Sequence, residues 1–239
     1  MHIPQGDTAL LELVTFRQAL EAANTPTDAY DVEKWLYAPN FYSEYRYILG
    51  TRGKNPLICI GINPSTAEPD NLDNTLKSVE RIAHGNGFDS FIMFNVYAQR
   101  ATNPDAMERN CNPLLHKENL EAFRYVLSIS QRPAVWAAWG AIIEKRDYLA
   151  DCVRDMVLAG QEYGARWYCA GAITKKGHPH HFFHCFGNVA ILKRKALIDT
   201  KHYLTHCFGN LKTCFLIEIL YALWHISGRC KAVKVRIDK

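Results

Sequence analysis

The sequence lacks the features that place a protein in a membrane or outside the cell. Its first residues are polar and carry no basic start, so we expect no secretory signal peptide. The longest apolar run, residues 214–226, is interrupted by Glu218 and is too short to span a bilayer. Eight cysteines in 239 residues are too sparse for a disulfide scaffold. We therefore expect a cytoplasmic protein with reduced thiols and no membrane partner.

Positive charge is also scarce over most of the chain. Residues 193–239 contain ten Lys and Arg against three Asp and Glu, so the formal total of +4 leaves a net charge of −3 for residues 1–192. Neutralisation of phosphates supplies most of the affinity for duplex nucleic acid, so this charge favours a small ligand over long DNA. A weaker alternative is a protein that touches RNA or a membrane only through its basic end.

Apolar strands alternate with helices along the first 170 residues. The pattern predicts helices at 7–24, 72–84, 116–130 and 141–159, and strands at 44–49, 57–62, 90–96, 134–139 and 165–170. Asp70 or Asp73 is a plausible N-cap of the second helix. This alternation predicts an α/β protein with an open, mainly parallel sheet covered on both faces.

Polar residues follow four of the predicted strands in succession. These stretches are Gly61 to Ser65, Asn95 to Thr102, Trp139-Gly140 and Gly177 to His181. The carboxyl ends of parallel strands meet at one rim of a sheet, and open α/β sheets bind their ligands there. The sequence therefore predicts a binding site at this rim.

The four stretches, together with Tyr45-Arg46-Tyr47 and the pair Asp73 and Thr75, resemble a known family. The pattern is similar to domain-of-unknown-function family 1643 over about residues 45–181. That family carries no established activity, so the resemblance alone implies no reaction.

A more distant resemblance is to the uracil-DNA glycosylase superfamily. Gly61 to Pro64 is similar to its first motif, a strand ending in Gly-x-Asp/Asn-Pro, and Asn95 is similar to the Asn that reads the edge of the base. Trp139-Gly140 and His178 to His181 resemble its later features. The resemblance implies a three-layer α/β/α fold with a short, mainly parallel central sheet and a nucleobase pocket at the rim.

The reaction implied by this second resemblance is cleavage of an N-glycosidic bond. Asn63 would orient the attacking water, although a carboxamide takes up no proton near neutrality and is not a general base. His181 or His178 would stabilise negative charge on the departing base. Asn95 would read the base with its donor and its acceptor. A base in DNA must be flipped out to reach such a pocket.

The remaining ligand-binding candidates lie in the four polar stretches and in the loops beside them. With Asn95 they are Ser65, Thr66, Asp73, Thr75, Arg100, Thr102, Trp139, Gly140 and Lys176. We expect a nucleobase, nucleotide or nucleic acid as partner and no cofactor. We expect no metal ion, because single Asp residues without a third ligand do not define a magnesium site.

Several candidates also have a purely structural explanation. Asn63 can belong to an Asx turn, and Asn95 can satisfy the backbone of a neighbouring loop. Asp73 is better explained as a helix N-cap than as a metal ligand. Arg46 fits an amphipathic edge strand, and Trp139 fits a core position.

The residues after His181 depart from the family pattern, since Phe182-Phe183 stands where Pro-Leu is expected. We predict one α/β domain over residues 1–181, with a divergent basic tail over residues 182–239. His and Cys residues crowd the region 178–207 and invite a structural zinc site, but no C-x-x-C pair or H-E-x-x-H motif is present.

Two functions therefore stay open at the level of sequence. The first is an N-glycosidase acting on a base in nucleic acid or in a nucleotide. The second is a binding module that keeps the pocket without hydrolysis, and the missing carboxylate at Asn63 favours it.

Overall fold

Seven strands form one mixed sheet in the computed structural model, which describes residues 1–171, 174–181 and 192–194. The strands are β1 Trp35–Ala38, β2 Ile48–Thr51, β3 Pro56–Gly61, β4 Ser90–Asn95, β5 Ala134–Ala137, β6 Arg166–Ala170 and β7 Leu192–Arg194. Their order across the sheet is β1-β2-β4-β3-β5-β6-β7. The α/β class expected from the sequence is confirmed.

The sheet is parallel only at its centre. Strands β4, β3, β5 and β6 run parallel, whereas the β1–β2, β2–β4 and β6–β7 pairs are antiparallel. The expectation of a short, mainly parallel sheet is therefore wrong for the edges. For the β1–β2 pair the physical reason is connection length, because the nine residues between these strands are too few for the crossover that a parallel pair needs.

Four α-helices cover both faces of the sheet. They are α1 Phe16–Ala23, α2 Asn74–Gly85, α3 Pro113–Ser128 and α4 Tyr148–Glu162. Helix α2 shares a buried apolar cluster with Leu57 and Cys59 of β3. Helix α3 places Phe123 against Phe94 of β4, with ring centroids 5.2 Å apart. Right-handed crossovers explain this split, because the chain moves one way from β3 to β4 and back across β3 to β5.

The helix boundaries show where local capping chemistry overrides apolar periodicity. The expected helix 7–24 divides into a 3₁₀ helix, Thr8–Leu10, and α1, because Thr15 and Gln18 form a capping box that starts a new helix. Asp73 caps α2 by accepting from Leu76 N at 2.9 Å. The expected helix 141–159 divides into the 3₁₀ helix Gly140–Lys145 and α4.

Most of the predicted tail, residues 182–239, lies outside the described residues. Within it, Leu192–Arg194 forms the edge strand β7, antiparallel to β6. The domain boundary near residue 181 stays a prediction, and so does the zinc alternative, whose residues mostly lie outside the described part. Among the helices that the structure describes, none has the length and apolarity needed to cross a membrane.

Candidate functional site

The candidate site is a cavity of about 440 Å³ at the carboxyl ends of the parallel strands. It lies where the chain changes direction across the sheet, because the connection after β3 leads to β4 on one side and the connection after the neighbouring strand β5 leads to β6 on the other. Such a switch point leaves a crevice in open α/β sheets, because the loops after the two strands turn to opposite faces. The cavity is lined by Arg46, Ile62, Asn63, Pro64, Ser65, Thr66, Asp73, Asn74, Thr75, Leu76, Met93, Asn95, Ala101, Thr102, Pro104, Ile142 and His181.

The structure brings together some of the residues expected at the rim and separates others. Those in the lining are Asn63, Ser65, Thr66, Asp73, Thr75, Asn95, Thr102 and His181. The lining does not include Arg100, Trp139, Gly140, Lys176 or His178. This distribution concerns placement alone, and the roles of these side chains stay predictions.

Both rim amides use their nitrogen to hold the backbone. Asn63 donates Nδ2 to the carbonyl oxygens of Ala101 at 2.6 Å and Pro64 at 3.1 Å. Oriented to satisfy its own hydrogen bonds, the buried Asn95 side chain donates to the carbonyl oxygens of Asn63 at 3.2 Å and Phe94 at 3.3 Å. With both nitrogens engaged, the carboxamide oxygen is the atom that either side chain could present to a ligand, and it is an acceptor. The expectation that Asn95 presents both a donor and an acceptor does not fit this arrangement.

Two buried arginines stand at the wall of the cavity. Arg46 is 1% exposed and lines the cavity, and Arg100 is fully buried behind it. Their Nη1 atoms lie 2.9 Å and 3.4 Å from the same acceptor, the carbonyl oxygen of Ala67. Among the described residues, no carboxylate comes within salt-bridge distance of either guanidinium. Two like charges are therefore held close together in the interior, which is unfavourable without a counter-charge.

Arg100 is the better satisfied of the two guanidiniums. Besides Ala67, it donates to the carbonyl oxygen of Ser65 and, at 3.1 Å, to the hydroxyl of Tyr37. It also lies over the ring of Tyr42, 4.3 Å from the centroid. Burial lowers the pKa of Arg100, and the nearby Tyr37 partly opposes that shift. Arg100 therefore acts as a structural brace between the β1 strand and the loop after β3.

Arg46 is left with much of its hydrogen-bonding capacity unused. Its Nη1 binds Ala67, whereas its Nε is buried without a partner among the described residues. Burial, followed by the charge of Arg100, lowers the pKa of Arg46 to about 9, which leaves the guanidinium charged at pH 7. The carboxylate of Asp73 is near enough to oppose this shift.

The first turn of α2 forms the floor beside Arg46. Asp73, Asn74 and Thr75 all line the cavity, and the Asp73 side chain satisfies the N–H of Leu76. The N–H groups of Asn74 and Thr75 belong to the helix positions that have no intrahelical acceptor. The start of a helix also carries a partial positive charge. The carboxylate of Asp73 offsets part of this positive charge, which agrees with the interpretation of Asp73 as the N-cap of α2.

The loops after β5 and β6 reach the cavity through two side chains, Ile142 and His181. Gly140 has φ +64°, and a Cβ added there would lie 2.8 Å from the Cβ of His181. Gly140 therefore allows the His181 loop to pack closely on the rim. Trp139 is buried and packs edge-on against Trp167, as expected of a core residue.

His178 and Lys176 bind Glu144 outside the cavity lining. His178 Nε2 lies 3.0 Å from Glu144 Oε1, and Lys176 Nζ lies 2.5 Å from Glu144 Oε2. The bond from Lys176, followed by that from His178, lowers the pKa of Glu144. Both residues therefore anchor the 174–181 loop to the 3₁₀ helix Gly140–Lys145. Since His181 lines the cavity and His178 does not, His181 is the better candidate for contact with a ligand.

Arg46 is the main residue at the cavity that sequence reasoning did not select. The sequence pattern predicts an edge strand at Arg46, but β2 begins only at Ile48, and Arg46 lies in the irregular segment before it. A signal was present, because its neighbours Tyr45 and Tyr47 are both large and largely apolar. A charged residue between two core aromatics is itself a candidate for burial, and a buried charge needs an explanation.

A protein-family model matches residues 46–181, and its description is "Protein of unknown function (DUF1643)". The chain belongs to the DUF1643 family. The matched span begins at Arg46 and ends at His181, so it contains every cavity-lining residue. No significant match was found among curated proteins or among solved structures. The resemblance to the uracil-DNA glycosylase superfamily therefore stays a prediction, and so does the activity that it implies.

Proposed function

We propose that this DUF1643 protein binds a nucleobase-containing small molecule in the rim cavity. The observation that carries the proposal is the convergence of Asn63, in the loop after β3, and Asn95, at the end of the adjacent parallel strand β4, on one cavity at the switch point of the sheet. The side-chain nitrogens of both residues donate to main-chain carbonyls, so the ligand would be bound by the two carboxamide oxygens. Ring and exocyclic N–H groups of a base are suitable donors to such acceptors.

The size and walls of the cavity support a small ligand. A volume of about 440 Å³ lies within the range of roughly 300–1,000 Å³ that is usual for small-molecule sites. Apolar contacts come from Ile62, Met93 and Ile142, and hydroxyl groups come from Ser65 and Thr75. The net charge of −3 for residues 1–192 also disfavours long duplex DNA as the partner.

A thermal-shift experiment on the full chain tests this proposal. The panel contains the five common bases, their nucleosides and 5′-monophosphates, and short single-stranded oligonucleotides. A ligand bound only by the folded protein raises the Tm by mass action. We expect at least one member of the panel to raise the Tm of the wild type and to have less effect on Asn95→Ala.

Asn103→Ala is the matched control, because Asn103 is exposed, caps the 3₁₀ helix Pro104–Ala106 and does not line the cavity. Its response to the panel should equal that of the wild type. A panel without any stabilising member contradicts the proposal, and so does an equal loss of response in both variants.

A second candidate function is hydrolysis of the N-glycosidic bond of that ligand. It is favoured by one observation, the placement of His181 in the same cavity as the carboxamide of Asn63. The Asn63 oxygen can accept from a water, and a His N–H can donate to the departing base. Position 63 carries an amide instead of a carboxylate, so it supplies no general base, and the carboxylate of Asp73 is bound to Leu76 N. The arrangement therefore favours slow hydrolysis or binding alone.

Chromatography of incubated nucleosides, nucleotides and uracil-containing oligonucleotides distinguishes these two functions. Free base that appears with the wild type and not with Asn63→Ala supports hydrolysis. Binding without any release of base over a long incubation excludes hydrolysis and leaves the binding module.

A further inference from the structure

The arginine pair at the cavity wall raises a question that base recognition leaves unanswered. A base is neutral, yet Arg46 and Arg100 share one carbonyl acceptor in the protein interior with no described carboxylate in salt-bridge distance. Replacing a buried charge by an apolar residue is often neutral or stabilising, so folding alone gives no reason for Arg46. A ligand with negative charge supplies that reason.

Arg46 differs in this respect from an arginine elsewhere in the protein. Arg52, at the opposite end of the sheet, donates to the carbonyl oxygens of Val32, Trp35 and Ala23 and to Oδ1 of Asn24. Arg46 has one such bond, from Nη1, and its Nε is buried without a described partner. Arg52 is therefore a satisfied structural arginine, whereas Arg46 retains unused donors at the cavity wall.

We infer that the ligand of the rim cavity carries a phosphate, bound by Arg46 together with the free N–H groups at the start of α2. Two independent observations meet here, a buried guanidinium with unused donors and a 12-residue helix whose first residues, Asn74 and Thr75, line the same cavity. A guanidinium and helix N–H groups are both suited to phosphate oxygens. This inference rests on the proposed function and names its ligand as a nucleotide.

Arg100 has a positioning role in this arrangement. It holds Ser65 O and Ala67 O, so it fixes the loop that also carries the acceptor of Arg46. Its charge adds to the positive potential behind Arg46 without reaching the cavity. Asp73 has the opposite effect, because its carboxylate stands beside Arg46 and repels a phosphate.

Paired ligands provide the test. The dissociation constant of the full-length protein is measured by calorimetry for each nucleoside and its 5′-monophosphate, and for ribose 5-phosphate and inorganic phosphate. We expect the monophosphate to bind at least about tenfold more tightly than its nucleoside, as one or two charge-assisted hydrogen bonds provide. Arg46→Met should remove most of that difference, leaving only the part that the N–H groups of α2 supply, and should change nucleoside affinity less than about twofold.

Two further variants separate ligand binding from folding. Arg52→Met is the matched control and should keep the full preference for the monophosphate, although its folded state is weakened. Asp73→Asn retains an oxygen for the N-cap and removes the charge, so it should tighten monophosphate binding by about threefold. The Tm of ligand-free Arg46→Met should equal or exceed that of the wild type, since the variant removes an unpaired buried charge.

Each outcome decides between the two proposals. Equal affinity for nucleoside and monophosphate, unchanged in Arg46→Met, overturns the phosphate inference and leaves base binding intact. Arg46-dependent binding of ribose 5-phosphate and inorganic phosphate, with no gain from any base, overturns the proposed function and leaves the phosphate site. Binding of neither class overturns both.

Discussion

The two halves of the rim are built differently. We call the loops after β3 and β4, with the start of α2, the β3–β4 half, and the loops after β5 and β6 the β5–β6 half. The β3–β4 half lies on the two central strands and supplies most of the cavity wall, with its amides bound to main-chain carbonyls. The β5–β6 half supplies Ile142 and His181, and its Lys176 and His178 side chains bind Glu144.

Under the proposed function, this difference would separate recognition from reaction. The hydrogen-bonded frame of the β3–β4 half would select the ligand by shape and charge. Within the β5–β6 half, the 174–181 loop approaches Gly140 closely and is bound to the exposed Glu144 through Lys176 and His178, so we expect this loop to be the part that can move when a ligand enters. If the protein is catalytic, His181 must be brought to the ligand by that half.

The largest effect on stability is expected from the frame of the β3–β4 half. Asn119 of α3 is fully buried and donates Nδ2 to the carbonyl oxygens of Asn95 at 3.0 Å and Val96 at 3.3 Å. Asn119→Ala leaves both carbonyls without that donor and opens a small void, so it should lower the free energy of unfolding by about 2–3 kcal/mol. Urea denaturation measures this change.

Asn24→Ala is the control for that variant. Asn24 also donates Nδ2 to a carbonyl, that of Leu20 at 2.9 Å, but it is exposed. Its Oδ1 also accepts from Arg52 Nη2 at 2.8 Å near the surface, so its replacement should change the free energy of unfolding by about 1 kcal/mol or less. A similar small change in Asn119→Ala would show that the end of β4 is not held by α3 and would remove the contrast between the two halves.

An intermediate effect is expected at the junction of the β5–β6 half. Gly140→Ala must place a Cβ at φ +64° and 2.8 Å from the Cβ of His181, so either the strain persists or the His181 loop moves. We expect a loss of about 1–3 kcal/mol in the free energy of unfolding. Gly164→Ala has nearly the same φ, +62°, but open space around the added Cβ.

The difference between these two glycine variants isolates the contact with His181. Gly164→Ala should lose about 1 kcal/mol from backbone strain alone, by the same urea measurement. Equal losses in the two variants would mean that the His181 loop does not pack on Gly140, and the β5–β6 half would then contribute nothing fixed to the cavity.

The sequence predicted the central frame better than the edges of the sheet. Apolar runs such as Leu57 to Ile62 and Ser90 to Val96 are typical of buried parallel strands. Because parallel strands end at the same edge of the sheet, the residues that follow these runs could be assigned to the rim from the sequence. Strand β1 was missed because Trp35–Ala38 is only four residues long and lacks a clear alternation. Its pairing with β2 depends on contacts that no local pattern encodes.

Side-chain roles were predictable only where they follow from local sequence. The N-cap of Asp73 depends on its position before a helix, and the sequence contained that information. Arg46 is buried with hydrogen-bond donors unused, and this depends on where Ala67, Arg100 and the cavity lie in space. Only the structure shows that arrangement. The binding of His178 to Glu144 is equally non-local, since the two residues lie 34 positions apart.

The smallest effect is expected where the 174–181 loop of the β5–β6 half is bound to the exposed carboxylate of Glu144. Lys176 first, and then His178, lower the pKa of Glu144, so the interaction stabilises the loop at pH values above the ordinary pKa of a Glu and is lost as the pH falls through the lowered value. Because Glu144 is exposed, Glu144→Gln should leave the Tm nearly unchanged. It should instead increase amide hydrogen exchange in residues 174–181 at neutral pH, after correction for intrinsic rates.

Acidification then tests whether charge is the cause. Below the lowered pKa of Glu144 the wild-type carboxyl is protonated, so wild type and Glu144→Gln should exchange residues 174–181 at the same rate. Glu162→Gln, which removes a distant exposed carboxylate paired with Arg124, should match the wild type at both pH values. If Glu144→Gln and wild type already exchange alike at neutral pH, the loop is held by its packing on Gly140 instead. The two halves of the rim would then be equally rigid, and His181 would need no movement to meet a ligand.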